Sequence, residues 1–254
     1  MKQGRLYIGT SGWSYAHWAK GRFYPSGMKP GDWLRFYTGR FSTVEVNMTF
    51  YHLPKEEMLH RWRGIAPEGF QYAVKMWRRI THEKRLRNCS EELGPFLRIA
   101  GILADKLGPL LVQLPPSFRV DAGLLDAFLV DLRDQCGEPC RKVAFEFRNR
   151  EWLSDAVYEA LNRHGASLCL SDYPRCTVDE PNATGMIYVR RHGPGGRYRG
   201  CYAPEHIARD ADRIREWLNR GRDVYMYFNN DIEGYAVDNA AQLIETVQKK
   251  QPGL

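Results

Sequence analysis

The chain of 254 residues carries 43% hydrophobic and 13% aromatic residues, enough for a continuous core, which excludes a disordered chain. Its formal charge of +7 and pI near 9.1 favour anionic partners, but the basic residues are spread over many segments, which permits nucleic acid without demanding it. No stretch has the length of apolar sequence that spans a bilayer, and the first residues hold two charges with no apolar targeting region; the expectation is a soluble, cytoplasmic protein with no membrane partner.

In chain order, short apolar runs alternate with segments of helical period. Leu6-Tyr7-Ile8-Gly9 leads into Ser11, and a helix is predicted around Trp33, Leu34, Phe36 and Tyr37, with Asp32 as its cap. Thr43-Val44-Glu45-Val46 leads into Asn47 and a helix through Met58, Leu59 and Trp62. Tyr72-Ala73-Val74 leads into Lys75 and a helix from Leu93 to Leu103, and Leu110-Leu111-Val112 into Gln113 and a helix from Leu124 to Leu132. Val143-Ala144-Phe145 leads into Glu146 and Arg148, with a helix through Trp152, Val157 and Leu161. Leu168-Cys169-Leu170 leads into Asp172 and then into a loop, 173–185, whose prolines argue against a helix. Ile187-Tyr188-Val189 leads into Arg190 and His192 and a helix from Ile207 to Leu218. Tyr225-Met226-Tyr227-Phe228 leads into Asn229, Asn230 and the last helix, from Ala236 to Val247.

This alternation, without a linker between halves, predicts one domain over residues 1–254: an α/β fold with a parallel eight-stranded sheet closed into a single (β/α)8 TIM-like barrel. An open doubly wound sheet is the runner-up. It gathers ligand groups at one switch point, whereas here nearly every strand ends in a polar residue, as the C-terminal face of a barrel requires.

Side chains two apart on a strand share a face, so Glu45 points with Asn47, Glu146 with Arg148, and Arg190 with His192. Ionised groups facing the inside of a packed sheet cost several kcal/mol unless paired, so these strand ends predict a polar pocket. The bland alternative is a structural salt-bridge network. A metal held by Glu45, Glu146, Asp172 and His192 is a further alternative. Against it stand Lys75, Arg148 and Arg190 on the same rim, and no metal or other cofactor is expected.

Other signals are weaker. The stretch His192-Gly193-Pro194-Gly195-Gly196-Arg197-Tyr198-Arg199-Gly200 is basic and glycine-rich at a corner where barrels often bind phosphate. The turn Gly9-Thr10-Ser11-Gly12 lacks the ending of a P-loop, and Ser11 has no nucleophile elbow. Trp13, Tyr15, Trp18, Tyr51, Trp77 and Trp152 are candidates for stacking walls, whereas Trp62 and Trp217 are assigned to packing. His60, His164 and His206 are assigned to the surface, and His82 is a minor acid–base candidate. The six cysteines lack paired metal spacing and are expected to be reduced thiols.

Several of these segments together resemble the domain of unknown function 72 family, also called YecE-like proteins. They are Gly9-Thr10-Ser11-Gly12-Trp13-Ser14-Tyr15 with Trp18 and Phe23-Tyr24-Pro25; Glu45-Val46-Asn47-Met48-Thr49-Phe50-Tyr51; Lys75; Gln113-Leu114-Pro115-Pro116; Glu146-Phe147-Arg148 with Trp152; Asp172; Arg190 through Gly193; and Asn229-Asn230. The resemblance spans essentially the whole chain and implies a TIM-like barrel without an assigned reaction. Arg191 departs from it, since an apolar residue is expected there, which bears on packing after the seventh strand.

The residues themselves therefore have to carry the functional reading. It is an enzyme doing acid–base chemistry on a small anionic, phosphorylated or nucleotide-like substrate, with phosphodiester hydrolysis ranked first. Glu146, Lys75, Glu45, Asp172 and His192 are the catalytic candidates. Arg148, Arg190, Asn47, Gln113, Asn229, Asn230, Ser11, Trp13 and Tyr51 are the substrate-binding candidates. Metal-assisted hydrolysis or sugar isomerisation, and a non-catalytic nucleotide or nucleic-acid binder, are the alternatives. No oligomeric state is read from the sequence.

Overall fold

A computed structural model describes residues 3–136 and 142–249. The strands are β1 (Leu6–Thr10), β2 (Thr43–Val46), β3 (Gln71–Lys75), β4 (Leu107–Gln113), β5 (Val143–Glu146), β6 (Ser167–Ser171), β7 (Met186–Arg191) and β8 (Asp223–Phe228). They form one parallel sheet in the order β1-β8-β7-β6-β5-β4-β3-β2, rolled into a nearly closed barrel. The helices are α1 (Trp33–Thr38), α2 (Met48–Tyr51), α3 (Glu56–Ile65), α4 (Ser90–Gly101), α5 (Ala122–Cys136), α6 (Asp155–Arg163), α7 (Pro204–Asn219) and α8 (Tyr235–Gln248). The fold is the (β/α)8 barrel that the alternation predicts. No helix joins β6 to β7, where the prolines of the connecting loop forbid one.

Parity along the strands sorts the core into two layers. Val44, Val74, Val112, Phe145, Leu170, Val189 and Met226 face outward onto the helices. Tyr7, Ala73, Leu111, Ala144, Cys169, Tyr188, Tyr225 and Tyr227 face inward and fill the barrel. At the floor Tyr7 and Tyr225 stack at 4.4 Å, and Lys142 donates to the Tyr225 hydroxyl at 2.8 Å. The interior is thus solid at its N-terminal end, and only the C-terminal end has room for a ligand.

The barrel closes differently between its first two strands. Among the described residues no ladder joins β1 to β2; the Tyr37 hydroxyl of α1 sits between them, accepting from the Thr10 N–H at 2.9 Å and donating to the Thr43 carbonyl at 3.1 Å. Gly9 is required at this seam, because a Cβ there would lie 2.1 Å from the Thr43 carbonyl oxygen.

Three details correct the sequence reading. Arg191 faces outward and is half-buried, and Asp210 of α7 takes its guanidinium through both carboxylate oxygens, so the charge is matched by its own crossover helix. His164 is not a surface group: its side chain is 7% exposed and bonds Asp126 at 2.9 Å. Cys89, Cys169, Cys176 and Cys201 are free thiols as expected, but Cys136 is disulfide-bonded. Cys140 lies outside the described residues. Among the described residues, no helix is long and apolar enough to cross a membrane.

Candidate functional site

At the C-terminal end of the strands, a buried cluster spans the barrel. Arg190 of β7 reaches across to Glu45 of β2, donating from Nε to Oε2 at 2.9 Å and from Nη2 to Oε1 at 2.8 Å. Its Nη1 donates to Oε2 of Glu146, from β5, at 2.5 Å, and Tyr188 donates to Glu45 at 2.7 Å. All three charged side chains are sealed from solvent, Arg190 at 1% and both carboxylates at 0%. Burial alone would raise both carboxyl pKa values. Arg190 outweighs it, holding Glu45 below and, with Arg148 and His192, Glu146 well below the usual carboxylate range.

His192 extends this cluster. Its Nδ1 lies 3.2 Å from Asp172 Oδ1 and its Nε2 lies 3.3 Å from Glu146 Oε1 and 3.2 Å from Arg190 Nη1. Asp172 also accepts from the His192 backbone N–H at 2.7 Å and from the Tyr202 hydroxyl. Burial opposes ionisation of Asp172, but these bonds and Arg191 hold its pKa below the ordinary value. Asp172 does not face the cavity. It shares parity with Leu168 and Leu170, which pack outward, while Cys169 and Ser171 occupy the inward positions of β6. It stands behind His192 and orients it.

Above the cluster opens a cavity of about 570 Å³. Lys75, Arg148 and Arg190 contribute its cationic wall, with Asn47, Gln113 and Asn229 as neutral polar groups and Tyr15, Phe50, Tyr51 and Tyr198 as rings. Arg148 lies 4.6 Å over the Tyr173 ring, and its Nε donates to Glu146 at 3.3 Å. Tyr51 is 66% exposed at the rim. The Gln113 amide is buried and donates to the Leu114 carbonyl at 2.8 Å. Asn229 lines the cavity, whereas Asn230 turns away: it donates to the Gly200 carbonyl at 2.8 Å and to Asn239 at 3.0 Å, bracing the loop against α8.

Lys75 is the exception to this pairing. Its ammonium sits 4.3 Å over the Phe50 ring, and among the described residues no carboxylate oxygen lies within 4.0 Å of it. Burial first, then the neighbouring Arg190, lowers its pKa to about 7. His82, on the π-helical turn Arg79–Glu83, borders the same cavity and is lowered to about 4 by burial and by Lys75. At neutral pH the cavity therefore holds two permanent guanidiniums, a titrating amine and a neutral imidazole.

The glycine-rich loop contributes less than its composition suggests. Arg197 and Arg199 are exposed and away from the cavity wall, and three of the loop's N–H groups are already bonded, Gly193 to the Tyr202 hydroxyl, Gly196 to the Gly193 carbonyl and Tyr198 to the His192 carbonyl, each at 2.6 Å. Tyr198, held at φ 61, is the one loop side chain in the wall. Trp18 and Trp152 are fully buried and donate to the carbonyls of Asp231 and Phe118, each at 2.8 Å, so they are packing residues and not stacking walls.

Ser11 and Trp13 border a second cavity of about 650 Å³ between the β1–α1 connection and α3. Trp13 meets Trp62 edge-on with centroids 4.9 Å apart. This cavity has no counterpart in the sequence reading. Its walls come from helix residues such as Leu34, Met58 and Trp62, whose periodicity signals only packing.

Among the described residues, no three His, Cys, Asp or Glu side chains are grouped to hold a metal, since Arg190 occupies Glu45 and Glu146. Fold and site together define a (β/α)8 barrel with a cation-rich pocket at the C-terminal ends of its strands. The chain belongs to the family described as protein of unknown function DUF72, whose match covers residues 7–254. It is similar to UPF0759 protein YunF of Bacillus subtilis, with 27% identity over 98% of this chain and 97% of that protein. It is also similar to UPF0759 protein YecE of Escherichia coli, with 34% identity over 44% of this chain and 39% of that protein. A DUF72 family protein of Thermotoga maritima, TM1631, superposes with a TM-score of 0.84 at 28% identity, over 96% of this chain and 100% of its own.

Proposed function

We propose that this barrel is an enzyme doing acid–base chemistry on a small anionic substrate, a phosphate ester first among them, and that Lys75 carries the proton. The supporting observation is an unpaired amine with a pKa near 7, beside the Arg148 guanidinium, in the pocket where barrel enzymes act. A group that titrates near the working pH serves as both acid and base, whereas Glu146, fully buried and held ionised by two arginines, resists protonation.

In this reading Arg148 pairs with the anion by charge-assisted hydrogen bonds, and Asn47, Gln113 and Asn229 orient its hydroxyls. Water adds to phosphorus and the ester P–O bond breaks. The Lys75 ammonium gives its proton to the departing oxygen, and the amine regains one from the attacking water. Glu45, Arg190 and Glu146 form the fixed electrostatic floor, and Asp172 with His192 positions it.

The test is hydrolysis of p-nitrophenyl phosphate and bis-p-nitrophenyl phosphate by wild type, Lys75→Met and Arg148→Gln. Loss of the proton donor should lower kcat by about 10²–10⁴-fold, the usual yield of general acid–base catalysis, while inorganic phosphate still binds. Arg148→Gln should raise KM instead. Full activity in Lys75→Met would remove the assignment. Affinity for oligonucleotides that falls steeply and linearly in log salt, with no turnover, would favour the non-catalytic nucleic-acid binder.

A further inference from the structure

We infer that the second cavity, between the β1–α1 connection and α3, is a subsite for a planar aromatic group that carries an N–H or O–H donor, joined to the anionic end of the same ligand. The anionic end rests on the proposed function; the subsite itself stands on separate residues.

The two cavities abut. Asn47 and Tyr15 border both, so a ligand passing over Asn47 occupies the two at once. The second cavity, at about 650 Å³, falls within the ~300–1,000 Å³ of small-molecule sites. Its walls favour a flat ring: the Trp13 indole stands edge-on to Trp62 at 84°, and the soft thioethers of Met48 and Met58 also line the space. The Arg61 guanidinium, held by the Gly31 carbonyl at 3.3 Å, adds a planar cation at the wall.

The base of this cavity asks for hydrogen bonds. Ser11 is 1% exposed and its hydroxyl has no partner at hydrogen-bond distance, although it lies near enough to Glu45 to favour the carboxylate. The Asn47 side chain gives one N–H to the Ser11 carbonyl at 3.4 Å, while its Oδ1 is buried and unpartnered. Two orphan polar atoms beneath an apolar, aromatic cavity are rare in a folded interior, and a ligand donor satisfies both position and polarity. Heterocycles such as nucleobases combine the flat apolar faces with that donor; a bare sugar phosphate does not.

Calorimetry on the full chain at moderate salt separates the possibilities with three probes: adenosine 5′-monophosphate, ribose 5-phosphate and adenosine. Wild type should bind the nucleotide at least tenfold more tightly than the sugar phosphate. Met58→Trp, at a position 38% exposed on α3, fills the cavity without touching the polar pocket and should erase that advantage while leaving ribose 5-phosphate unchanged. Ser11→Ala, judged against an unchanged melting temperature, should weaken adenosine and its monophosphate alike. Adenosine binding that Met58→Trp abolishes, with no phosphate contribution in any probe, would keep the subsite and overturn the anionic reading of the neighbouring pocket. Equal affinity for nucleotide and sugar phosphate, an advantage that survives Met58→Trp, or no binding of any probe overturns the subsite.

Discussion

Replacing Lys75 by Met removes the one charge in the polar pocket that lacks a carboxylate partner and keeps an aliphatic stem over Phe50. The amine titrates at about 7 in the fold against 10.5 in the unfolded chain. Below pH 7 the folded protein must carry a buried ammonium, which at about 1.4 kcal/mol per pH unit costs at most about 5 kcal/mol; access to water in the cavity reduces this ceiling. Between pH 7 and 10.5 the unfolded chain holds a proton that the folded chain has released, so this group makes stability rise with pH across that window. Lys75→Met should therefore be more stable than wild type by up to about 5 kcal/mol at pH 6, and the difference should shrink to about 2 kcal/mol at pH 9. Urea denaturation of both proteins at pH 6, 7, 8 and 9 reads this directly, because titrating groups that do not interact with Lys75 cancel in the difference, and His82, which does, titrates below this range in wild type. A difference that does not change with pH, or a variant less stable at pH 6, would refute the buried, unpaired amine.

Arg190→Met leaves Glu45 and Glu146 buried without compensation and should cost about 3–5 kcal/mol or prevent folding, whereas Arg148→Ala should change the melting temperature little, which circular dichroism on the two variants distinguishes. Because both carboxyl pKa values are lowered in the fold, their contribution is present above about 4.5, the ordinary glutamate value, and is lost as pH falls; acid titration of wild type should show stability dropping from pH 5 to pH 3, and a flat profile there contradicts the pairing. Arg191→Leu strands Asp210 and should destabilise by a few kcal/mol, while the double variant with Asp210→Leu recovers most of the loss in a denaturation cycle; simple additivity would show that the pair does not interact.

Much of the barrel was legible because buried parallel strands are continuous apolar runs and their crossover helices have a different period. Arg148, Lys75, Gln113 and Asn229 were legible as pocket residues on the same ground, each closing an apolar run. Asp172 was misplaced through parity: Leu168 and Leu170 share its face, and an apolar face in a barrel strand points to the helices. The pairing of Arg190 with Glu45 and Glu146 was out of reach, since it depends on which strands face each other across the barrel. The loop from Gly193 to Gly200 read as an anion cradle because composition does not say where N–H groups point. In the structure the N–H groups of Gly193, Gly196 and Tyr198 bond to Tyr202, Gly193 and His192.

Seven of the eight strand junctions are ladders, and widening any of them breaks several backbone bonds at once. The eighth, between β1 and β2, is held by side chains: the Tyr37 hydroxyl spans Thr10 and Thr43, and the Asn47 amide donates to the Ser11 carbonyl at 3.4 Å. Opening this junction would cost the contacts of two side chains and leave the seven ladders whole. Ser11 and Asn47, whose Oγ and Oδ1 lack hydrogen-bond partners, follow directly from the two strands that flank this junction. The cavity they line therefore borders the junction of the barrel that side chains, and not a backbone ladder, hold closed.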